Sequence, residues 1–351
     1  MAGRPMHALS IRYAESRDGT RIATGTAGSG VPLVVGPTPT SNMQAEWQSA
    51  RLGQGIRQLA RSFRVVRYDR RGAGHSNRGI HDYRLARRLE DLECVIDQLQ
   101  LNRVVLVGQA TSVPECVAYA VKHPDRVARL ALLSPPADPA ARERSPRYQF
   151  VWKSLKEDWE TATMTLAGIL GGWNDAAEMR EHAEIIRNTV DQVGLAAFHA
   201  AGAAEDIAAD ACKLAMEVLV IHPRSHPFVP ADAVADLTAA IPRGRLTIVD
   251  SGASPLLGEA ADTIAALEAF AGEMLSPSGP DPEGTCTDGL TARELDVLRL
   301  VAAGLENSEI ADRLFISGHT VARHITHIYA KTGTANRVQA TRYAIDHHLT
   351  E

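Results

Sequence analysis

The stretch VVLVGQATSVPECVAYA, Val104 to Ala120, begins as a β-branched apolar run, meets a glycine, and continues as an amphipathic helix. A strand that turns sharply into a helix lifts the residue at the turn clear of its neighbours, where a G-x-S-x-G nucleophile stands. Here the turn reads Gly108-Gln109-Ala110-Thr111-Ser112. A nucleophile needs an oxygen or sulfur that can attack, and Ala110 offers only a methyl group. Ser112 stands where the second glycine would be. It lies two residues into the turn, on a helix expected to point it away from the tip.

A second stretch with chemistry in its side chains is SGHTVARHITHIYAKT, Ser317 to Thr332. Val321, Ile325 and Ile328 recur at helical spacing and are expected to face a core. His319, Ala322, Arg323, Thr326, His327 and Ala330 fall on the opposite face. Between Ser317 and Arg337 there are three basic residues, Arg323, Lys331 and Arg337, and no acidic ones, in a chain whose formal net charge is −5. A locally cationic helix face in an acidic protein is the electrostatic footprint of DNA binding.

The elements that must position these residues follow from patterning. Eight short runs read as strands: LSIRYA, RIATGT, VPLVVG, FRVVRYD, RVVLVG, VARLALLS, EVLVIH and RLTIVD. Helical patterns separate the later ones. One spans Tyr83 to Leu99, with Leu85, Leu89, Leu92, Val95, Ile96 and Leu99 on one face. Continuous apolar strands alternating with helices indicate a mostly parallel sheet covered on both faces. The alternation breaks between Pro135 and Met216, where only helical patterns occur, so a helical lid is expected at about 136–215. The stretch Ser276–Gly289 holds three prolines and three glycines without apolar periodicity. It is expected to be a linker, able to separate two domains by about 40 Å if extended. Residues 290–351 then read as four helices, the first opened by a Thr291–Glu294 capping box and the third N-capped by Ser317.

Bulk composition sets limits. With 351 residues and 45% apolar content, the chain can form one large and one small domain. The four cysteines, Cys94, Cys116, Cys212 and Cys286, lack C-x-x-C spacing and read as thiols in a reducing compartment. The N-terminus carries no signal-like apolar run, and no segment approaches the ~20 apolar residues of a membrane span. A cytoplasmic location is expected, with no membrane partner, cofactor or metal.

Residues 8–275 resemble the α/β-hydrolase family. YDRRGAGHS, Tyr68 to Ser76, resembles the Y-D-x-R-G-x-G-x-S turn after an early strand. HPDRVARLALLSP is similar to the strand after the nucleophile helix, and VLVIHPRSHPFVP to the strand and turn that carry the acid. The resemblance places nucleophile, acid and base at Ala110, His226 and Ala253. None of the three is the residue the chemistry requires, so no catalytic residue is assigned and no enzyme activity is expected. The oxyanion loop appears as Gly36-Pro37-Thr38-Pro39-Thr40, whose prolines donate no N–H. Thr38 and Thr40 either hydrogen-bond a ligand or belong to a stiff surface turn. His226 is either a polar group at a pocket rim or a satisfied structural histidine. The resulting candidate ligand pocket comprises Thr38, Gln109, Ala110, Trp152, Trp159, His226 and Ala253. Among the lid aromatics Phe150, Trp152, Trp159, Trp173 and Phe198, one or two are expected to touch a ligand and the rest to form lid core.

Residues 290–351 resemble the LuxR-type helix-turn-helix domain. The matching motifs are L-T-x-R-E-x-x-V-L, the E-I-A-x-x-L-x-I-S run, T-V-x-x-H, and I-Y-x-K followed by N-R. This resemblance implies that positions 322, 323 and 326 face base edges. Arg323 is then the main base reader and Thr326 a second candidate, while Ala322, where the family carries lysine, meets a thymine methyl or nothing. His324, Lys331, Arg337 and Thr320 are expected at phosphates, and Asn307 and Ser308 are expected to bring amides to phosphate. The fourth helix shows a wide apolar stripe of Val338, Ala340, Thr341, Ala344, Ile345 and Leu349, which the resemblance makes a dimer contact.

The fold class expected is therefore α/β, an α/β-hydrolase-like mostly parallel sheet with a helical lid, plus a small all-α four-helix domain. The domains are 1–275, a linker at 276–289, and 290–351. The function expected is a regulator that binds operator DNA as a homodimer and senses a small-molecule effector without hydrolysing it. Two rival readings are an enzyme fused to a DNA-binding domain, and a hydrolase-like scaffold that only dimerises.

Overall fold

The computed structural model describes residues 9–137, 139–171, 175–203, 205–251, 254–258, 260–272, 290, 292–314, 318–347 and 349. Trp173, Ala253, the 276–289 stretch, Thr291 and Ser317 lie outside the described residues. The chain divides into two compact units, Met1–Ala271 and Gly272–Glu351.

The first unit is built on one eight-stranded sheet. Its strands are β1 (Ser10–Glu15), β2 (Arg21–Ala27), β3 (Pro32–Val35), β4 (Arg64–Tyr68), β5 (Val104–Gln109), β6 (Val127–Leu133), β7 (Glu217–Pro223) and β8 (Gly244–Val249). All eight apolar runs form strands. Their order is β1-β2-β4-β3-β5-β6-β7-β8. The β1·β2 and β2·β4 pairs are antiparallel and the other five are parallel.

Strand periodicity of two sends alternate residues to opposite faces. Val104, Leu106, Leu130, Leu132, Val218 and Val220 enter one core. Their neighbours Val105, Val107, Ala131, Leu133, Leu219 and Ile221 enter the other. Because β3 lies between β4 and β5, the chain leaves it in one direction and returns on the other side. Such a switch point opens a crevice at the carboxyl ends of the strands, and the Gly108–Ser112 turn stands at that end of β5.

Above this edge, helices Pro139–Arg144, Pro146–Glu157, Trp159–Gly171, Ala176–Thr189 and Gln192–Gly202 occupy the interval expected for the lid. They close on a separate apolar cluster that includes Val151, Leu155, Leu166, Ile186 and Leu195.

The Leu85–Gln98 helix holds more than its apolar stripe. Leu92, Val95 and Ile96 are buried, but so are Arg88, Asp91 and Glu93. Asp91 receives a two-pronged bond from Arg71, with Nε to Oδ2 at 2.8 Å and Nη2 to Oδ1 at 2.7 Å. Arg71 Nη1 also donates to Asp18 at 2.8 Å. These contacts fix the turn after β4 against the helix.

The second unit has helices Ala292–Ala302, Asn307–Leu314, Gly318–Thr332 and Arg337–Asp346 around Val297, Leu298, Ile310, Val321, Ile325, Ile328, Ala340 and Ala344. Asn336 caps the last helix by accepting the Gln339 N–H at 3.0 Å.

Removing one member of a buried ion pair strands the other charge and costs about 3–5 kcal/mol. Asp91→Ala is expected to lower unfolding stability by that order, measured by urea titration of the full chain. A change below about 1 kcal/mol would show that Asp18 alone compensates Arg71.

Candidate functional site

The β5 turn keeps the backbone of a nucleophile elbow. Gln109 ends the strand, Ala110 adopts φ 43, and a 3-10 turn leads into the Val113–Lys122 helix. Left-handed backbone costs a residue with a Cβ about 1–2 kcal/mol, so the surrounding structure must hold Ala110 there. Part of that hold is local. Ser112 Oγ accepts the Gln109 N–H at 2.8 Å and donates to the Gln109 carbonyl at 3.1 Å. Ser112 is fully buried with both hydroxyl functions engaged in the turn. Close approach does the rest. A Cβ on Gly36 would sit 2.5 Å from Ser112 Oγ, and one on Gly108 would sit 3.0 Å from Val113 Cα. Gln109 Nε2 crosses to the Gly36 carbonyl at 3.1 Å, tying the β3 loop to the elbow.

Beside the elbow lies a cleft of about 420 Å³, counting its open mouth. Its sheet side includes Pro39, Arg88, Thr111 and Pro114. Its lid side includes Arg142, Tyr148, Trp152, Phe198 and His199. Arg88 ties the two sides. Its Nε donates to the Tyr83 carbonyl at 3.0 Å, and its Nη1 to the Thr111 carbonyl at 3.1 Å and to Glu115 at 2.7 Å. Its Nη2 bonds Glu205 of the lid region. Burial lifts the Glu115 carboxyl to about 7, although the Arg88 charge pulls the other way. On the lid side Trp152 stacks on His199 with centroids 3.8 Å apart, and Tyr148 meets Trp152 edge-on at 5.7 Å. Burial, with help from Arg142 and Lys156, holds His199 down to about 4, so its ring is neutral at pH 7.

Of the expected pocket residues, Trp152 lines this cleft, and Ala253 lies outside the described residues. The others are placed elsewhere. Gln109 is buried and turned to Gly36. Trp159 packs against the lid core. Thr38 lends its carbonyl to the Ser41 N–H and hydroxyl. Ala110 is a neighbour of the lining residue Thr111 and is not itself in the lining. His226 uses Nδ1 to accept the Phe228 and Val229 N–H groups at 3.2 and 3.0 Å, the satisfied structural alternative. Phe198 lines the cleft, and Phe150 projects into solvent. Patterning missed Arg88, Arg142, Tyr148 and His199. Only Arg88 left a trace, being a charge four residues before Leu92 on the apolar stripe.

In the second unit the Gly318–Thr332 helix buries Val321, Ile325 and Ile328 and exposes Ala322, Thr326 and Ala330. Thr326 donates its hydroxyl to the Ala322 carbonyl at 3.0 Å, leaving its oxygen to accept. Arg323 is on this helix; its side chain and that of Thr320 lie outside the described residues. Three residues expected at phosphates have internal roles. His324 is 8% exposed, because it stands three residues after Val321 and four before Ile328, on the core stripe. Lys331 Nζ donates at 2.6 Å to the fully buried Glu294, tying the third helix to the first. Arg337 donates to Asn307 Oδ1 at 3.1 Å and to the Leu305 carbonyl, fastening the loop before the second helix. Ser308 stays exposed in that helix's first turn. On the last helix Ala340 and Ala344 are buried, whereas Val338 is 78% and Ile345 56% exposed.

Comparison with known proteins agrees with this division. The family model described as bacterial regulatory proteins, luxR family, matches residues 288–344, and that of the alpha/beta hydrolase fold matches 41–152. A Mycobacterium bovis protein named as an HTH-type transcriptional regulator is 60% identical over 50 residues, 14% of this chain and 6% of that protein. Transcriptional regulatory protein LiaR of Bacillus subtilis is 47% identical over 62 residues, 18% of this chain and 29% of LiaR. The chain therefore spans less than a third of either relative. Among solved structures, an esterase from Exiguobacterium antarcticum superposes with TM-score 0.65 at 20% identity, over 75% of this chain and 100% of that one. An esterase from Rhodococcus sp. ECU1013 gives 0.64 at 21%, over 75% and 98%. At such identities the likeness is one of fold. The chain joins an α/β-hydrolase-fold domain to a LuxR-type helix-turn-helix domain. Among the described residues no helix is long and apolar enough to cross a membrane.

Burial and the neighbouring His222 ring, 5.1 Å away, hold the His226 imidazole down to about 3. An unfolded histidine protonates near 6.5, so between those values the unfolded state binds more protons. Stability is then complete above about pH 6.5 and declines as pH falls toward 3. In urea melts at about pH 7 and about pH 5, His226→Asn, which keeps an acceptor for the two amides, is expected to lose less stability on acidification than the parent. Equal losses would assign the effect to His199 or another group.

Proposed function

We propose that the chain is a ligand-responsive transcription regulator acting in the cytoplasm. Its LuxR-type domain binds operator DNA as a homodimer, and its hydrolase-fold domain binds a small-molecule effector without hydrolysing it. The observation that carries this reading is the elbow itself. Its strained backbone is kept at Ala110 (φ 43), a residue that cannot attack, in a chain that also carries a DNA-reading domain. Ser112 is a poor substitute nucleophile, because its hydroxyl is buried and committed to the Gln109 backbone.

The exposed face of the Gly318–Thr332 helix enters the major groove, with Arg323 reading a base and Ala322 and Thr326 beside it. The exposed Val338 and Ile345, seven residues apart on the last helix, give that helix a second apolar edge beyond the domain core. A second copy of the domain covers it. An effector that closes the lid changes DNA affinity by a coupling of about 1–3 kcal/mol.

The decisive experiment is native mass spectrometry of protein purified from its own host, followed by operator titration with and without the retained compound. A bound molecule that shifts operator affinity supports the sensor. Ester turnover abolished by Ser112→Ala would instead make the protein an enzyme with a tethered DNA-binding domain. Ile345→Glu is expected to convert dimer to monomer in sedimentation and to weaken operator binding at least about tenfold. Arg323→Ala is expected to relax specificity at one base pair by about 1–3 kcal/mol. Uniform weakening across all sequences would refute that base-reading role.

A further inference from the structure

The cleft beside the elbow has an uneven hydrogen-bonding inventory. Arg88 is fully placed among two carbonyls and two carboxylates. Four other lining side chains are not. Thr111 Oγ1, Arg142 Nε and His199 Nε2 are buried and make no hydrogen bond, and the buried Trp152 Nε1 meets the Tyr148 hydroxyl without an aligned bond. A guanidinium N–H and an indole N–H can only donate, and a threonine hydroxyl can do either. Leaving buried polar groups unpaired is costly, so two N–H donors, with the Thr111 hydroxyl and the His199 ring able to donate beside them, mark where acceptor oxygens come from outside the chain.

Charge and shape narrow the class. Arg88 is offset by Glu115 and Glu205, whereas among the described residues Arg142 approaches the half-exposed Glu143, at 3.6 Å. Arg142 Nη2 donates to the Gly202 carbonyl at 3.4 Å, and the guanidinium lies over the Tyr148 ring, 5.2 Å from its centroid. A carboxylate accepting from Arg142 makes a charge-assisted bond, roughly twice as strong as a neutral carbonyl makes. Around it the walls are flat: Trp152 stacked on His199, Tyr148 edge-on to Trp152, and Phe198. Flat walls select a flat body.

We infer that the cleft binds a compact planar organic acid, its ring against the Trp152–His199–Tyr148 wall and its oxygens accepting from Arg142, Trp152 and Thr111. This inference rests on the sensor reading above and names the effector's chemical class. Arg142 and Trp152 belong to the lid and Thr111 to the elbow, so one anion joins the two sides of the cleft and draws the lid onto the sheet edge.

The test is calorimetric titration of the full chain with benzoate, trans-cinnamate and indole-3-acetate, each beside its methyl ester. At least one acid is expected to bind saturably, with its ester weaker by about tenfold. Arg142→Gln should bring the acid down to the ester's affinity while the thermal melt stays that of the parent. Trp152→Phe, which keeps a ring and loses the N–H, should weaken the acid several-fold. Equal affinity of acid and ester, an acid affinity untouched by Arg142→Gln, or no binding by any of the three acids overturns the inference. If an acid binds as expected but leaves operator affinity unchanged, the inference stands and the sensor reading fails.

Discussion

One buried guanidinium holds the first unit's working edge together. Arg88 is 4% exposed, and it touches Tyr83 just before its own helix, Thr111 at the elbow, Glu115 on the following helix and Glu205 of the lid region. Two carboxylates around one cation satisfy a charge that would be very costly to bury alone. The fork geometry of arginine also fixes directions, so the elbow and lid are positioned by the same planar group. The lid meets the sheet edge through this polar joint and through aromatic contacts, Phe198 on Tyr83 and Tyr148 on Phe228, each with centroids 5.5 Å apart.

The Gly108–Ser112 turn is held by several contacts at once. Its φ of 43 at Ala110, the self-bonded Ser112 and the close packing of Gly36 and Gly108 are mutually dependent. A side chain on Gly36 would displace Ser112, and a displaced Ser112 would release the Gln109 backbone. Such strain persists only where neighbours over-determine it. Here the strained turn presents Thr111, whose carbonyl Arg88 holds and whose hydroxyl borders the cleft.

In the second unit, basic residues that look like one cationic surface divide into two groups. Lys331 and Arg337 fasten helices and loops within the domain, Lys331 against a fully buried glutamate. That division leaves Ala322 and Thr326 as exposed residues of the Gly318–Thr332 helix that are not used inside the domain core. The last helix likewise has two apolar edges. Ala340 and Ala344 are small enough for close helix packing inside the domain, while the bulkier Val338 and Ile345 remain outside.

The sequence by itself determined all eight strands and the lid interval. Those follow from short-range periodicity, because alternate residues of a strand must enter opposite cores, whereas the two-domain division and the placing of Ala110 at the elbow were legible through motif resemblance. It also determined which face of the Gly318–Thr332 helix is apolar, yet His324 was misplaced, since a polar residue on a core stripe does not announce its burial. The tertiary structure alone decided where the cleft lies. Its lining combines Thr111 with Arg142, Tyr148, Trp152 and His199 from lid helices, and no local spacing records how those helices rotate over the sheet. It also decided which charges are buried. Asp91 and Glu93 share a helix with Arg88 and show no such trace, and only partners distant in the chain make the burial of all three tolerable.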